Sequence, residues 1–259
     1  MPVTIADVAE HAGVSIKTAS RVVNNERKVS AATRQKVLGA IEKLGYAPNL
    51  WAQRLKRGHS GVVALIIYDA TPAYIMSVIY GLMDVGETTQ YSVSVQRRDI
   101  RDPKDVAEII RMASQQRVEG IVFTPPTDNS PEITEALQRL DFPFVQITPH
   151  ERCSECAWVA ATDEQGSYEA TCHLLELGHK HIGFMQGNQD HRASWDRLSG
   201  YKRACRDAGL EIGKHIIRQG NWTFEAGLEC ARELLAIDPR PTAIMAANDE
   251  AAAGVIYAA

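Results

Sequence analysis

No long hydrophobic run occurs in the 259 residues. The apolar stretches, such as Val62–Ile67, are strand-sized and fall far short of the roughly 20 residues that a helix needs to cross a bilayer. The chain does not open with a basic segment leading into an apolar core and a cleavage site, so no signal peptide is read and a cytoplasmic location is expected. Neither G-x-G-x-x-G nor a Walker A sequence is present, which weighs against a dinucleotide or nucleoside triphosphate site. No nucleophile, base and orienting group can be assembled, so neither an enzyme nor a cofactor is read. Cysteine is scarce and odd in number, five in all, which argues for reduced thiols rather than a disulfide framework. The one dense cluster, His150, Cys153 and Cys156, has H-x2-C-x2-C spacing. It lacks a second Cys/His pair to complete a tetrahedral site, so a solvent-facing loop and no metal are expected.

What is present is a lopsided charge distribution on a globular composition, 45% hydrophobic and 23% charged. Residues 1–60 carry ten Lys or Arg against four Asp or Glu, a balance of +6, while the remainder carries 18 against 28, or −10. A basic head on an acidic body fits a polyanion-binding module whose partner domain stays off the polyanion.

Within that head, residues 4–24, TIADVAEHAGVSIKTASRVVN, read as two short helices joined by a sharp turn. Ala9 is small where the helices would cross, and Gly13 supplies a residue that tolerates positive φ. Val8, Val14, Ala19 and Val22 provide the apolar contacts. Thr4 with Asp7 resembles a capping box, and Ser15 is a good N-cap for the second helix. Ile16, Lys17, Thr18 and Arg21 remain exposed, and a helix-turn-helix reads base edges with the N-terminal part of its second helix. By itself the turn suits an ordinary helical hairpin equally well. A third helix is predicted from Ser30, with Val37, Leu38, Ile41 and Leu44 at helical spacing and Gly45 as its C-terminal cap.

Residues 47–60 then break the pattern. Pro48 and Asn49 suit a helix start, and residues 50–56 are long enough for one or two turns that would order only against a partner. Leu55 stands among Arg54, Lys56 and Arg57, as a minor-groove wedge flanked by phosphate contacts would; a basic linker whose leucine packs on the body is the alternative.

From residue 62 short apolar strands alternate with helices. Strands are predicted at 62–68, 91–96, 120–123, 144–147, 158–161, 182–186, 216–219 and 243–246, with helices at 103–116, 131–140, 164–177, 194–208 and 223–235. This alternation implies parallel sheets covered on both faces, with ligands bound beyond the carboxyl ends of the strands. The polar residues following strands are therefore the candidates: Asp69 to Tyr74, Thr124, residues 188–197 with Arg197, Trp222, Asn248 and Asp249. Arginine forks, Asn and Asp acceptors and a Trp face together suit a sugar or related polyol. Each has a plainer role open to it, with Trp222 in a core, Asp249 as a helix cap and Arg197 in a surface ion pair.

Several stretches resemble the LacI/GalR family of bacterial transcription regulators. These are VTIADVAEHAGVSIKTASRVVNNERKVSAATRQKVLGAIEKLGYAPN, the hinge-like WAQRLKRG, HLLELGHKHIGFMQG, RLSGYKRACRDAGL and AIMAANDEAAAGV. The resemblance implies a homodimer on a double-stranded, pseudo-palindromic operator, with an all-α helix-turn-helix head (1–46) and a hinge (47–60). It implies a periplasmic-binding-protein-like α/β body of two parallel-sheet subdomains (61–148 and 149–259). By position, Ile16, Lys17 and Arg21 would face bases, Ser15, Thr18 and Asn24 would position phosphates, and Leu55 would be the hinge wedge. Arg197 matches the family's effector-binding arginine, Trp222 and Asn248 match sugar-contacting positions, and Tyr74 transfers more weakly. Ala19 departs from the Val of many members. The family's G-[YF]-D-[DN] segment, which lines the effector site, is absent before Ala259, so the second subdomain is expected to be incomplete.

The function expected is that of a regulator, a repressor of carbohydrate-utilisation genes controlled by a sugar bound between the subdomains, with no membrane partner. A transport-type sugar-binding protein would need a signal peptide and no head. An α/β enzyme on a DNA-binding head would need a catalytic set.

Overall fold

Thr4 starts the first helix through a reciprocal pair of bonds. Its hydroxyl accepts the Asp7 N–H at 3.4 Å, and the Asp7 carboxylate accepts the Thr4 N–H at 2.7 Å. This is a capping box with Asp in the usual Glu position. Helix α1 (Ile5–Ala12) stops at Gly13, whose φ of 64° continues the chain in a left-handed turn. Ser15 caps α2 (Ile16–Val23), accepting the Thr18 N–H at 3.2 Å. Ser30 does the same for α3 (Ala31–Leu44), which ends at Gly45 with φ 63°. The computed structural model describes residues 3–24, 26, 28–46, 60–68, 71–211, 213 and 216–259. Hinge residues 47–59, Leu55 included, and Asp69 therefore lie outside the described residues.

The three helices bury Val8, Ala9, Ala19, Val22, Val37 and Ala40 in one small core, with Val14, Ile41 and Leu44 packed around it. Leu38, expected in the apolar stripe of α3, is instead 50% exposed. It stands about 100° round the helix from Val37, and Ala40, three residues on from Val37, occupies the buried face in its place.

The chain divides into two compact units, residues 1–59 and 60–259. In the second, β1 (Val62–Ile67) leads to α4 (Pro72–Thr89), β2 (Ser92–Arg97), α5 (Pro103–Ser114), β3 (Gly120–Phe123), α6 (Pro131–Arg139), β4 (Phe144–Ile147) and β5 (Ala157–Val159). These strands form a parallel five-stranded sheet in the order β2-β1-β3-β4-β5. Then follow α7 (Asp163–Glu176), β6 (Ile182–Gln186), α8 (Arg192–Asp207), β7 (Ile217–Gln219), α9 (Phe224–Leu235), β8 (Ala243–Met245) and α10 (Asp249–Ala258). Their strands form a parallel sheet ordered β7-β6-β8. The expected parallel sheets are therefore present. A subdomain boundary at 148/149 is not where the chain changes sheets, because β5 pairs with β4 (Val145 opposite Ala157) and extends the first sheet to Val159.

Burial explains the sequence pattern. Ala64, Ile66, Ile121 and Phe123 from the sheet pack against Val106, Ile109 and Met112 of α5 and Ile133 and Leu137 of α6. The central strand β6 is buried at all five positions, as a strand covered on both faces must be. Tyr201 of α8 is buried against Phe184 and satisfies its hydroxyl by donating to the Ile182 carbonyl at 2.7 Å. Helices α9 and α10 approach so closely that a Cβ on Gly227 would overlap the Ala251 carbonyl, and one on Gly254 that of Phe224.

Candidate nucleic-acid interface and ligand cleft

On α2 the residues predicted to read DNA form an outward face, opposite the buried Ala19 and Val22. Ile16 is 55% exposed although apolar, and Lys17 is exposed beside it. The Ser15 and Thr18 hydroxyls lie 2.9 Å apart and stay at the surface while completing the cap. Arg21 is half-buried with its Nε 3.7 Å from Glu26, a loose pair that leaves the guanidinium close to solvent. Asn24 closes the helix, its backbone N–H donating to Ser20 O and its amide to Ser20 Oγ at 3.3 Å. A helix N-terminus bearing one cation and two hydroxyls, with an arginine one turn further on, presents donors suited to phosphates and base edges.

In the body, a cleft of about 320 Å³ is lined by residues that follow the carboxyl ends of seven strands. Thr71 and Tyr74 follow β1, Pro125 follows β3, Thr148 follows β4, and Ala161 and Asp163 follow β5. His191, Ala193 and Arg197 come after β6, Trp222 after β7 and Asn248 after β8. Convergence of both sheets' carboxyl edges on one cavity is the arrangement in which parallel α/β folds bind ligands.

Arg197 is the organising cation. Its Nε donates to Asp163 Oδ1 at 2.8 Å and its Nη2 approaches the same oxygen at 2.7 Å. Its Nη1 donates to the Ala247 carbonyl, and the guanidinium lies 5.4 Å over the Trp222 ring. The Arg197 side chain is 34% exposed against 8% for Asp163, so the carboxylate is held inside while the guanidinium keeps a face toward the cleft. Trp222 is buried over Gly187, where any Cβ would overlap the indole, and meets His191 edge-on at 5.7 Å. Asn248 fixes the same floor, its amide donating to Trp222 O at 2.9 Å and its Oδ1 capping α10 through Ala251 N–H. On the opposite wall the Tyr74 phenol is pushed up to about 12 by burial and by the carboxylates of Asp128 and Asp163, so at neutral pH it is a neutral donor and acceptor. Contacts from Asn129 to the Asp190 carbonyl (3.1 Å) and from Arg152 to Asp196 (3.9 Å) run beside the cleft.

Tyr74, Arg197, Trp222 and Asn248 thus converge on one cavity. Two other candidates do not. Thr124 is wholly buried and its hydroxyl donates to the Ile66 carbonyl at 3.0 Å, closing β3 against β1 instead of facing a ligand. Asp249 is exposed in the first turn of α10, where it complements the helix dipole. Asp163, Thr148 and His191 line the cleft without having been singled out. His191 lay inside the 188–197 stretch, but Asp163 reads in sequence only as an acidic helix start. Among the described residues no three His, Cys, Asp or Glu converge as metal ligands, and no helix is long and apolar enough to cross a membrane.

A helix-turn-helix head joined to a two-sheet body with a cleft at its carboxyl edges defines a ligand-responsive DNA-binding regulator. Residues 4–49 match the family described as bacterial regulatory proteins, lacI family, and residues 60–259 match the periplasmic binding proteins and sugar binding domain of LacI family. The chain belongs to the LacI family. It is 34% identical over 260 residues to catabolite control protein A of Priestia megaterium, across 100% of this chain and 78% of that protein. It is 32% identical over 254 residues to the transcriptional repressor PurR of Vibrio atlanticus, across 98% and 75%. Among solved structures, the lac repressor dimer bound to operator and the anti-inducer ONPF superposes with a TM-score of 0.79 at 27% identity, over 100% of this chain and 77% of that one. The CelR–cellobiose complex superposes with a TM-score of 0.67 at 28% identity, over 99% and 77%.

Proposed function

We propose that this chain acts in the cytoplasm as a homodimeric transcriptional repressor of carbohydrate-utilisation genes, binding a pseudo-palindromic operator and releasing or tightening on it when a sugar occupies the cleft. The observation that carries the effector half is the Arg197–Trp222 pair, a guanidinium held over an indole face with Asn248 beside it. Hydroxyls meet the part of the guanidinium that stays open to the cleft and the amide beside it, above the buried apolar floor that Trp222 forms. The lac repressor with its anti-inducer and CelR with cellobiose provide precedents within the family.

On the DNA side, Ile16, Lys17 and Arg21 read bases, and Ser15, Thr18 and Asn24 hold phosphates. The segment 47–60 joins head to body. A dimer is supported by α4, whose Met76, Tyr80 and Met83 leave an exposed apolar stripe at intervals of four and three residues. The effector acts by changing how the two sheets sit across the cleft, against the contacts of Asn129 with Asp190 and Arg152 with Asp196. The ligand is bound and returned, not converted.

The test is operator binding by fluorescence anisotropy with the whole chain, titrated with a panel of mono- and disaccharides that includes cellobiose. One sugar should change operator affinity by about tenfold or more, a coupling of about 1.4 kcal/mol, and Arg197→Lys should remove that response while leaving sugar-free DNA binding intact. A panel with no effect, or a sugar consumed during incubation, would count against the reading.

A further inference from the structure

The loop between β4 and β5 carries Cys153-Ser154-Glu155-Cys156. The Cys156 N–H donates to the Cys153 carbonyl at 3.5 Å, closing a four-residue turn. Such a turn brings its end Cα atoms within about 7 Å, inside the reach that a disulfide requires. The two thiols are not equivalent, since Cys153 is half-buried and Cys156 is buried. Both sulfurs gather on one donor, the Gln138 amide of α6, whose Nε2 lies 3.4 Å from Cys156 Sγ and 3.9 Å from Cys153 Sγ.

We propose that Cys153 and Cys156 form a redox-active dithiol in the loop that leads into the amino end of β5, taking low-molecular-weight disulfides as substrate, with Cys153 as attacking thiolate and Cys156 as resolving thiol. The electrostatics agree with the geometry. The hydrogen bond from Cys156 and the Glu155 backbone N–H lower the Cys153 thiol despite the Glu155 carboxylate nearby. Burial and the same thiol pair push Cys156 up to about 11. The more accessible sulfur is therefore the one held closer to its nucleophilic form.

In the first step the Cys153 thiolate attacks one sulfur of RS–SR. A Cys153–SR bond forms, the RS–SR bond breaks, and RS⁻ leaves. Cys156 then gives its proton to solvent and attacks the Cys153 sulfur, forming the Cys153–Cys156 bond and expelling the second RS⁻. The protein dithiol loses two electrons and two protons, and the small disulfide becomes two thiols. Thr148 and Arg152 belong to the same loop, one lining the cleft and the other reaching Asp196 at 3.9 Å.

The experiment treats the whole chain with oxidised glutathione at near-neutral pH under anaerobic conditions, followed by peptide mass mapping. The expected product is a loss of about 2 Da confined to the peptide bearing Cys153 and Cys156. Cys156→Ser should accumulate a single glutathione adduct on Cys153. Cys153→Ser should react at Cys156 about tenfold more slowly or less. A readout without substitution is iodoacetamide labelling of the reduced protein, in which Cys153 should label about tenfold faster than Cys156, Cys205 or Cys230. Both thiols remaining free in excess oxidant, a bridge forming at Cys172 and Cys205 instead, or Cys156 labelling first would each overturn the proposal.

Discussion

Replacing Arg197 by alanine isolates what holds the cleft in shape. The substitution removes two contacts to Asp163 Oδ1 at 2.8 and 2.7 Å, the bond to the Ala247 carbonyl and the cation over Trp222. It leaves behind a carboxylate whose side chain is only 8% exposed. Breaking a fully buried pair by deleting one partner costs about 3 to 5 kcal/mol. Here the arginine side chain is 34% exposed, so water recovers part of the loss, and about 2 to 3 kcal/mol is the expected destabilisation of the body. For a body of this size that corresponds to a fall in Tm of about 4 to 12 °C. Urea denaturation followed by tryptophan fluorescence and far-ultraviolet circular dichroism reads the change directly. Adding Asp163→Asn should recover part of it, with a coupling of about 1 to 2 kcal/mol in a double-mutant cycle. A single variant within about 0.5 kcal/mol of the parent, or strictly additive effects, would refute the view that Asp163 exists to hold Arg197.

Gly254→Ala should destabilise the body by about 1 to 3 kcal/mol in the same urea experiment, because a methyl there overlaps the Phe224 carbonyl and forces α9 and α10 apart. Arg21→Ala should weaken operator binding by about 1 to 3 kcal/mol and relax base preference, whereas an unchanged preference in competition binding would remove its role as a reader. The head should also lose stability in acid. The Thr4 N–H and hydroxyl hold the Asp7 carboxyl below its ordinary, unfolded aspartate value. Its stabilising contribution is therefore complete above that unfolded value and is lost as pH falls through the lower folded one. Asp7→Asn should flatten the acid limb of an α1-reporting circular dichroism titration, and an identical limb would show that the capping box does not titrate.

Much of this architecture is legible because local chemistry and tertiary structure agree. Thr4, Ser15 and Ser30 look like caps and are caps, and Gly13 and Gly45 adopt the left-handed φ that only glycine adopts freely. The strands stand out as short apolar runs because both sheet faces are covered, as the fully buried β6 illustrates. Leu38 escaped because an apolar residue one position off the stripe is indistinguishable by composition from one on it.

The cleft was legible only in part, for a related reason. Residues just after strands were candidates as a class, yet position cannot say which way a side chain points. Thr124 turns inward to the Ile66 carbonyl and Asp249 outward to solvent, while Pro125 and Asn248, their immediate neighbours, face the cavity. Asp163 was missed because a carboxylate in a first helical turn already has a sufficient local explanation. Its second role appears only when Arg197, distant in sequence, arrives beside it. Beyond residue 148 the chain still adds β5 to the first sheet, through a pairing that no local pattern announces.

Two copies of α2 are expected to read a symmetric DNA site under the control of the body. Selection of bound sequences from a pool of randomised duplexes, using the purified whole chain, tests it most directly. The enriched sequences should share a two-fold symmetric site with half-sites about one helical turn apart or at a multiple of that spacing. Affinity for that site should fall steeply as salt rises. Recovery of no preferred sequence, or of a preferred site without two-fold symmetry, would contradict the account.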